Sequence, residues 1–420
     1  MYQSASYAAA QRRSRRLKLL LPAALALVLV AIGLFVSQPF WHDPPRPTAE
    51  PILPASTRIP GTAPELPWPS TGQAAVSIEG LGDLGNFGSP TPVAIGSVAK
   101  VMTAYVVLTD HPLGVGESGP SLTVSAAQAA AYPAEKARGE SLIRVAAGAQ
   151  FTQRQALQAV MLPSANNMAR ILAAWDAGSV AAFVDKMNAM ATGLGMVNTR
   201  YTDPAGLAPD TVSTAVDQVI LTRKAMALPA FAEIVAQSKA TVPVEGTITN
   251  YNDLLGRDGV VGVKTGSTDE AGGCFTFAAV VKVGTTSLLV VGAVLGQPGA
   301  HTPEQLRAVF RATTPLVRSA AAALGVHTVV TAGQEVADVR GPLDTGTTTL
   351  RAARDVEVIG WPGLEVRLDT EIPPVPRQLS AGAEHGRVTA TVGEQPPVGG
   401  PLHTGDQLEP PGVWDRLTRR

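Results

Sequence analysis

The spacing of hydrophobic residues changes twice along the chain, and each change indicates a different kind of structure. Between residues 98 and 228, apolar positions recur every three or four residues, which is typical of amphipathic helices. Between 259 and 296 the apolar runs are short and bounded by glycine, which predicts strands. From 326 onwards, apolar and polar residues alternate between glycine and proline turns. The pattern therefore predicts a body of helices and strands followed by a small all-β module.

The helical region has recognisable ends. Pro163 stops one predicted helix, and Thr214 with Asp217 three residues later forms the pattern of a helix start. The predicted helices cover residues 98–108, 152–162, 166–177, 179–195 and 214–228.

Strands flank this helical region on both sides. A first strand, "QAAVSIE" at 73–79, is followed by a glycine-rich segment at 80–90 that predicts a turn. After the helices come the strands "GVVGVKTG", "CFTFAAVVKV" and "TSLLVVGAVLG", and the last two are joined by a tight turn at Gly284-Thr285. A long amphipathic helix at 302–324 follows. We expect one body with an antiparallel sheet and a helical insert in its middle.

The N-terminal segment predicts export. Five basic residues, with no acidic residue before Asp43, precede the uncharged apolar run Leu19–Val36: Arg12, Arg13, Arg15, Arg16 and Lys18. At 1.5 Å per residue this run is about 27 Å long, close to the hydrocarbon thickness of a bilayer. The basic flank favours a cytoplasmic N-terminus and an extracytoplasmic body. A cleaved signal peptide is the alternative, but the segment after the run offers no good small-x-small cleavage site.

Residues 38–72 are dense in proline and have no apolar period, which predicts an extended spacer. The predicted organisation is a cytoplasmic basic tail at 1–18, a transmembrane signal anchor at 19–37, a linker at 38–72, a catalytic domain at 73–325, a β-rich domain at 326–412 and a tail at 413–420.

Composition and motifs exclude several functions. The formal net charge is −1 and no basic stripe lies outside the N-terminus, so nothing indicates nucleic-acid binding. Cys274 is the only cysteine, so an intramolecular disulfide is impossible. The six histidines do not have HExxH spacing, and the chain has neither a GxSxG elbow nor a P-loop.

Three short strings could carry chemistry. They are Ser97-x-x-Lys100, Ser164-x-Asn166 and Lys264-Thr265-Gly266. Each has an ordinary structural interpretation: Ser97 and Ser164 could cap helices, and Lys264 could be a solubility charge on an edge strand. Together and in this order, however, they are the signature of penicillin-recognising serine enzymes, in which the lysine takes the proton of the nucleophilic serine.

The chain resembles the D-alanyl-D-alanine carboxypeptidases, the low-molecular-weight penicillin-binding proteins. The resemblance covers residues 73 to about 410 and includes "VMTAYVVL" after Lys100, "YTDPAGL" at 201–207 and "VKTGSTDEAGGCFTFAA". It implies an α+β fold of the penicillin-binding-protein/β-lactamase type, with an antiparallel sheet packed by helices, a helical subdomain and a C-terminal all-β domain.

The resemblance also implies a mechanism and a set of site residues. Ser97 attacks the D-Ala–D-Ala carbonyl, Lys100 is the general base, Ser164 relays the proton to the leaving D-alanine, and Asn166 positions the substrate. Lys264 and Thr265 bind the terminal carboxylate, Gly266 lets the strand approach the substrate, and the amides of Ser97 and Ser267 form the oxyanion hole. The implied partners are peptidoglycan pentapeptides and, as inhibitors, β-lactams. No metal or other cofactor is implied.

Two other functions remain open from the sequence. A class A β-lactamase needs a glutamate that activates the deacylating water, and between Asn166 and Lys264 the only candidates are Glu233 and Glu245. A non-catalytic β-lactam sensor would be acylated without turnover. One departure from the family pattern is Asn167, where relatives often have aspartate; it bears on helix packing or capping more than on catalysis.

Overall fold

The computed structural model describes residues 22–38 and 43–418. Its helices are α1 (22–37), α2 (Lys100–Asp110), α3 (Ala126–Ala137), α4 (Gln153–Met161), α5 (Asn166–Ala177), α6 (Val180–Gly193), α7 (Ala215–Met226), α8 (Pro229–Val235), α9 (Thr302–Ala323) and α10 (Val413–Thr418). A 3-10 turn, Gly96–Ala99, leads directly into α2.

The strands fall into two groups. Those before residue 300 are β1 (Thr48–Pro51), β2 (Ser56–Arg58), β3 (Gln73–Ile78), β4 (Gly82–Phe87), β5 (Val93–Ala94), β6 (Ser121–Thr123), β7 (Gln150–Thr152), β8 (Val212–Ser213), β9 (Lys239–Val242), β10 (Gly246–Thr249), β11 (Val260–Thr268), β12 (Gly272–Val283) and β13 (Thr286–Gln297). Those after it are β14 (Gly325–Val330), β15 (Glu335–Arg340), β16 (Thr347–Ala352), β17 (Val356–Gly360), β18 (Glu365–Glu371), β19 (Glu384–Thr391) and β20 (Val398–Thr404).

A five-stranded antiparallel sheet in the order β11-β12-β13-β3-β4 forms the centre of the body. Strands β12 and β13 are buried on both faces over most of their length, which explains their nearly continuous apolar sequences. Val219 of α7 belongs to the core on one face, and Val309 of α9 to the core on the other. The sheet is thus a packed layer in which β11 is one of the two edge strands.

Helix α2 runs through the helical subdomain on one side of this sheet. Eight of its eleven residues, including Lys100, are buried, and it packs against α4, α5, α6 and α7. A helix enclosed on nearly all sides has little freedom to move, so its first turn is held in a fixed position relative to α5 and β11.

Two local predictions were wrong or incomplete. The glycine-rich segment at 80–90 is not only a turn, because Gly82–Phe87 forms β4 and pairs with β3. A side chain at Gly85 would lie 3.0 Å from the ring of Trp68, so the missing side chain makes room for that ring. The sequence pattern also missed α3, which begins with a capping box formed by Ser125 and Gln128.

The C-terminal module contains a seven-stranded sheet in the order β1-β15-β16-β20-β19-β18-β2 and the pair β14-β17. Its two outermost strands come from the segment predicted as a spacer. Strand β1 pairs with β15, and β2 pairs with β18. A strand at the edge of a sheet needs hydrogen bonds on one side only, so it tolerates Pro51 and needs no apolar period. Two stretches of the predicted linker are therefore edge strands of the module.

The basic cluster and residues 19–21 of the predicted membrane span lie outside the described residues. Within the span, 22–37 form α1, and its apolar side chains are exposed, for example Leu27 at 70% and Phe35 at 61%. In the part of the chain that the structure describes, none of the helices has the length and apolar character needed to span a bilayer.

Candidate active site

The side chains of Ser97 and Lys100 are in contact at the start of α2. Lys100 is fully buried, and its Nζ lies 2.7 Å from Ser97 Oγ. The same nitrogen donates to Asn166 Oδ1 at 2.6 Å and to the carbonyl oxygen of Ala205 at 2.8 Å. Ser97 does not cap α2, because the N-cap is Ala99 and no side-chain cap is present. The capping interpretation of Ser97 is therefore wrong.

These contacts orient the lone pair of a neutral Lys100. A neutral amine has two N–H donors and one lone pair. The Asn166 and Ala205 oxygens can only accept, so they use both donors. The lone pair is then directed at the remaining neighbour, the hydroxyl of Ser97. This is the arrangement that a general base requires.

The electrostatics favour the neutral form of Lys100. Burial lowers the pKa of Lys100 well below its ordinary value, and the charge of Lys264 lowers it further. Asp203 and Glu140 raise the pKa of Lys100 without cancelling these effects.

Asp203 fixes the carbonyl group that Lys100 contacts. Its carboxylate accepts hydrogen bonds from the backbone amides of four residues in the loop after it: Ala205, Gly206, Leu207 and Ala208. Gly206 has φ +75°, and a side chain there would lie 1.9 Å from the carbonyl oxygen of Gly96, so only glycine fits. The family resemblance includes the string "YTDPAGL", but it does not indicate this role of Asp203.

Ser164 lies two residues before helix α5, and Asn166 is the first residue of that helix. Ser164 is buried with φ +65°, and its Oγ has no hydrogen-bond partner among the described residues. The N-cap of α5 is Ala165, so Ser164 does not cap the helix and that interpretation is wrong. Strained backbone and unpaired buried hydroxyls are typical of functional sites, so this geometry is compatible with the predicted role of Ser164.

The predicted carboxylate-binding residues lie on β11. Lys264 is 1% exposed, so it is not a solubility charge. Its Nζ donates to the carbonyl of Thr265 at 2.9 Å, and burial lowers the pKa of Lys264 to about 7. No carboxylate of the described residues pairs with this amine, so an anionic group of a ligand could bind it and would favour its charged form.

Gly266 brings β11 against the turn that carries Ser97. A side chain at Gly266 would lie 2.8 Å from the carbonyl oxygen of Ile95 and 3.0 Å from the amide nitrogen of Ser97. In the same way, a side chain at Gly96 would lie 3.1 Å from the amide nitrogen of Ser267. The two amides predicted to form an oxyanion hole therefore belong to backbones in direct contact.

One cavity joins these residues. Of the eight predicted site residues, six line it: Ser97, Ser164, Asn166, Thr265, Gly266 and Ser267. Lys100 and Lys264 are buried beside it. Several other lining residues were not predicted from the sequence, among them Glu140, Ser141, Leu207, Tyr251 and Leu306. Apart from Leu207, which ends the string "YTDPAGL", they come from segments without a recognisable motif.

Comparisons with known proteins agree with this geometry. The family model described as D-alanyl-D-alanine carboxypeptidase matches residues 86–296. A D-alanyl-D-alanine endopeptidase of Pseudomonas aeruginosa is 33% identical over 208 residues, which are 48% of this chain and 64% of the relative. The D-alanyl-D-alanine carboxypeptidase DacB2 of Mycobacterium tuberculosis is 40% identical over 144 residues, which are 33% of this chain and 49% of the relative. The chain thus spans about half to just under two thirds of the length of these curated relatives.

The fold has a match among solved structures. Penicillin binding protein 5 from Haemophilus influenzae superimposes with a TM-score of 0.57 at 22% sequence identity, over 83% of this chain and 99% of the other. This likeness confirms the predicted fold class. Because the family model spans half of the 420 residues and includes all three motifs, the chain belongs to the D-alanyl-D-alanine carboxypeptidase family.

Proposed function

We propose that the protein is a serine-type D-Ala-D-Ala carboxypeptidase that removes the terminal D-alanine from peptidoglycan stem peptides. The observation that carries the proposal is the position of the Lys100 amine, 2.7 Å from Ser97 Oγ, with its two N–H groups directed at Asn166 and Ala205.

The acylation step follows from this arrangement. Lys100 takes the hydroxyl proton of Ser97 as Oγ attacks the carbonyl carbon of the D-Ala–D-Ala bond. The amides of Ser97 and Ser267 stabilise the oxyanion. The C–N bond then breaks, and the proton reaches the departing amine of D-alanine through the otherwise unpaired hydroxyl of Ser164. Water hydrolyses the ester and restores Ser97.

The substrate is an extended peptide with a free carboxylate. Strand β11 pairs with β12 on one side and is the outermost strand of its sheet, so a peptide can bind along its other edge. Lys264 and Thr265 then bind the terminal carboxylate. Asn166 contacts the peptide from the opposite wall of the cavity.

Among the residues that the structure describes, no carboxylate is a suitable base for the β-lactamase alternative. Glu233 is bound by Arg154 and the amide of Gly116, and Glu245 is bound by Arg144; neither lines the cavity. Glu140 does line it. Burial raises the pKa of Glu140, but hydrogen bonds from Arg170 and Arg138 outweigh burial and the net pKa is lowered, which makes Glu140 a weak base.

Incubation with a D-Ala–D-Ala peptide should give multiple turnovers of free D-alanine, whereas benzylpenicillin should leave one long-lived adduct on intact mass spectrometry. A penicillin keeps its leaving group tethered, which blocks the approach of water to the acyl-enzyme. Rapid loss of the adduct without D-alanine release would make the protein a β-lactamase, and acylation without any peptide turnover would make it a sensor. Faster cleavage of a cross-linked peptide dimer would make it an endopeptidase.

We also propose that the protein is held in the cell membrane by its N-terminal segment, with the body on the cell-wall side. The support is the basic cluster before Leu19–Val36 and the exposed apolar surface of α1. External protease should digest the body in intact spheroplasts and leave a cytoplasmic marker unaffected. A body that survives while a known external marker is digested would contradict the proposed topology.

A further inference from the structure

A loop that no motif predicted forms one wall of the active-site cavity. Residues 139–143 follow α3 and pack on the first turn of α5. The backbone N–H of Asn166 donates to the backbone carbonyl of Ser141 at 2.7 Å. The side-chain amide of Asn167 donates to the carbonyl of Ile143 at 2.8 Å and accepts from its N–H at 3.4 Å. The loop is therefore tied to the helix that carries Asn166.

The side chain of Glu140 is the charged group of this loop. It is only 7% exposed. One carboxylate oxygen accepts from Arg138 at 2.7 Å, and the other accepts from Arg170 at 2.7 Å and from Asn166 Nδ2 at 3.4 Å. Arg170 also contacts Glu135 at 2.7 Å, so it bridges two carboxylates.

The Asn166 amide has to be oriented by one of its neighbours. Its oxygen faces Lys100, and its NH₂ group faces Glu140. A neutral Lys100 can donate or accept, so it does not by itself distinguish the two orientations of the amide. An ionised carboxylate can only accept, so Glu140 disfavours the flipped amide, in which two oxygens would meet.

We propose that Glu140, held by Arg170 and Arg138, is a positioning residue that fixes the amide of Asn166 with its oxygen towards Lys100. The inference rests on the proposed function and assigns the orientation of the base to a residue outside the three motifs. The flipped amide would place NH₂ against the Lys100 nitrogen, and that nitrogen could then use its lone pair to accept from Asn166 rather than from Ser97.

Glu140 also has an electrostatic effect that can be measured. Glu140 raises the pKa of Lys100, while Arg170 lowers it. Loss of the Glu140 charge alone should therefore lower the pKa of Lys100 further. A variant whose loop merely loosens would admit water to Lys100 and raise that pKa, because burial is the largest cause of the depression.

The test is Glu140→Gln, whose amide can both donate and accept and so no longer selects one orientation. We expect the rate constant for acylation of Ser97 by benzylpenicillin to fall about tenfold. The acid limb of its pH profile should move to lower pH. Glu135→Gln is the matched control, since Glu135 contacts Arg170 but has no hydrogen bond to Asn166. It should retain nearly the wild-type rate and profile.

A double-mutant cycle distinguishes positioning from general support of the fold. In an Asn166→Ala background, and at a pH above the acid limb, where the charge of Glu140 no longer changes the neutral fraction of Lys100, Glu140→Gln should change the acylation rate by less than about twofold, because its target is gone. An equal loss in Glu135→Gln, an acid limb that moves to higher pH, or a full effect of Glu140→Gln in the Asn166→Ala background would each overturn the inference. A wild-type protein that neither releases D-alanine nor is acylated would instead overturn the proposed function.

Discussion

Replacing Ser97 by alanine is expected to lower the release of D-alanine from a D-Ala–D-Ala peptide by at least about 10⁴-fold and to abolish the penicilloyl adduct. The Oγ atom removed is the one that lies 2.7 Å from Lys100 Nζ. The fold should be unaffected because Ser97 lies in a 3-10 turn and caps no helix. The measurements are D-alanine release, intact mass after penicillin addition, and thermal unfolding.

A serine outside the cavity gives the matched control for this variant. Ser121 is exposed on the short strand β6, so Ser121→Ala should keep full activity and the single adduct. If Ser97→Ala still formed a stable penicilloyl adduct, the nucleophile would be another residue.

Replacing Lys100 by arginine is expected to lower the rate of Ser97 acylation by about 10³-fold, because a permanently charged group then stands where the wild-type protein has a neutral amine. A guanidinium remains protonated at any working pH, so it has no lone pair for the proton of Ser97. The guanidinium is also larger than the Lys100 amine, which is surrounded by oxygen atoms of Ser97, Asn166 and Ala205. The measurement is the second-order rate constant for acylation by benzylpenicillin.

The pH profile of the wild-type protein provides a second test of Lys100 as the general base. Lys100 is a base only when neutral, so acylation should rise with pH through an apparent pKa well below that of a free lysine. That apparent value belongs to the coupled pair of Lys100 and Lys264.

The exposed Lys239 offers a control for the Lys100→Arg variant: Lys239→Arg should behave as wild type. An arginine variant at position 100 that acylated at the native rate would contradict the role of Lys100.

The helices and central strands of the body could be predicted because their local patterns agree with their environment. Helix α4 ends at Met161, just before Pro163, and Thr214 caps α7 through the amide of Asp217. Strands β12 and β13 could be located from their apolar sequences and the turn at Gly284. In each of these segments, a few neighbouring residues determine the structure.

Other elements depend on contacts that are distant in sequence. Strand β4 has little apolar character, and it is a strand because β3 lies beside it and Gly85 leaves space for Trp68. The strands β1 and β2 pair with partners about 300 residues away in the chain, and no local sequence pattern can indicate such a pairing.

The candidate site also combines residues that a local motif indicates with residues whose role depends on contacts distant in sequence. Ser97, Asn166 and Lys264 stand in motifs whose spacing indicates their chemistry. Glu140 accepts hydrogen bonds from Asn166 and Arg170, which approach it only in the folded chain, so nothing in its neighbouring residues indicates a role. Asp203 accepts hydrogen bonds from its own loop, but the carbonyl that it fixes meets Lys100 only in the folded chain. Glu233 and Glu245, the glutamates between Asn166 and Lys264, do not line the cavity, and the carboxylate that does line it comes from position 140.

The two strands from the N-terminal segment have a practical consequence for the isolated protein. They occupy both outer positions of the seven-stranded sheet, so β15 and β18 have no open edges towards solvent. Unpaired strand edges are where sheets of different molecules join and aggregate. A chain shortened to begin at Gln73, as the sequence pattern alone would suggest, would uncover both edges at once. A soluble form that stays monomeric at high concentration should therefore begin ahead of Thr48, even though every residue that surrounds the catalytic cavity lies beyond Gln73.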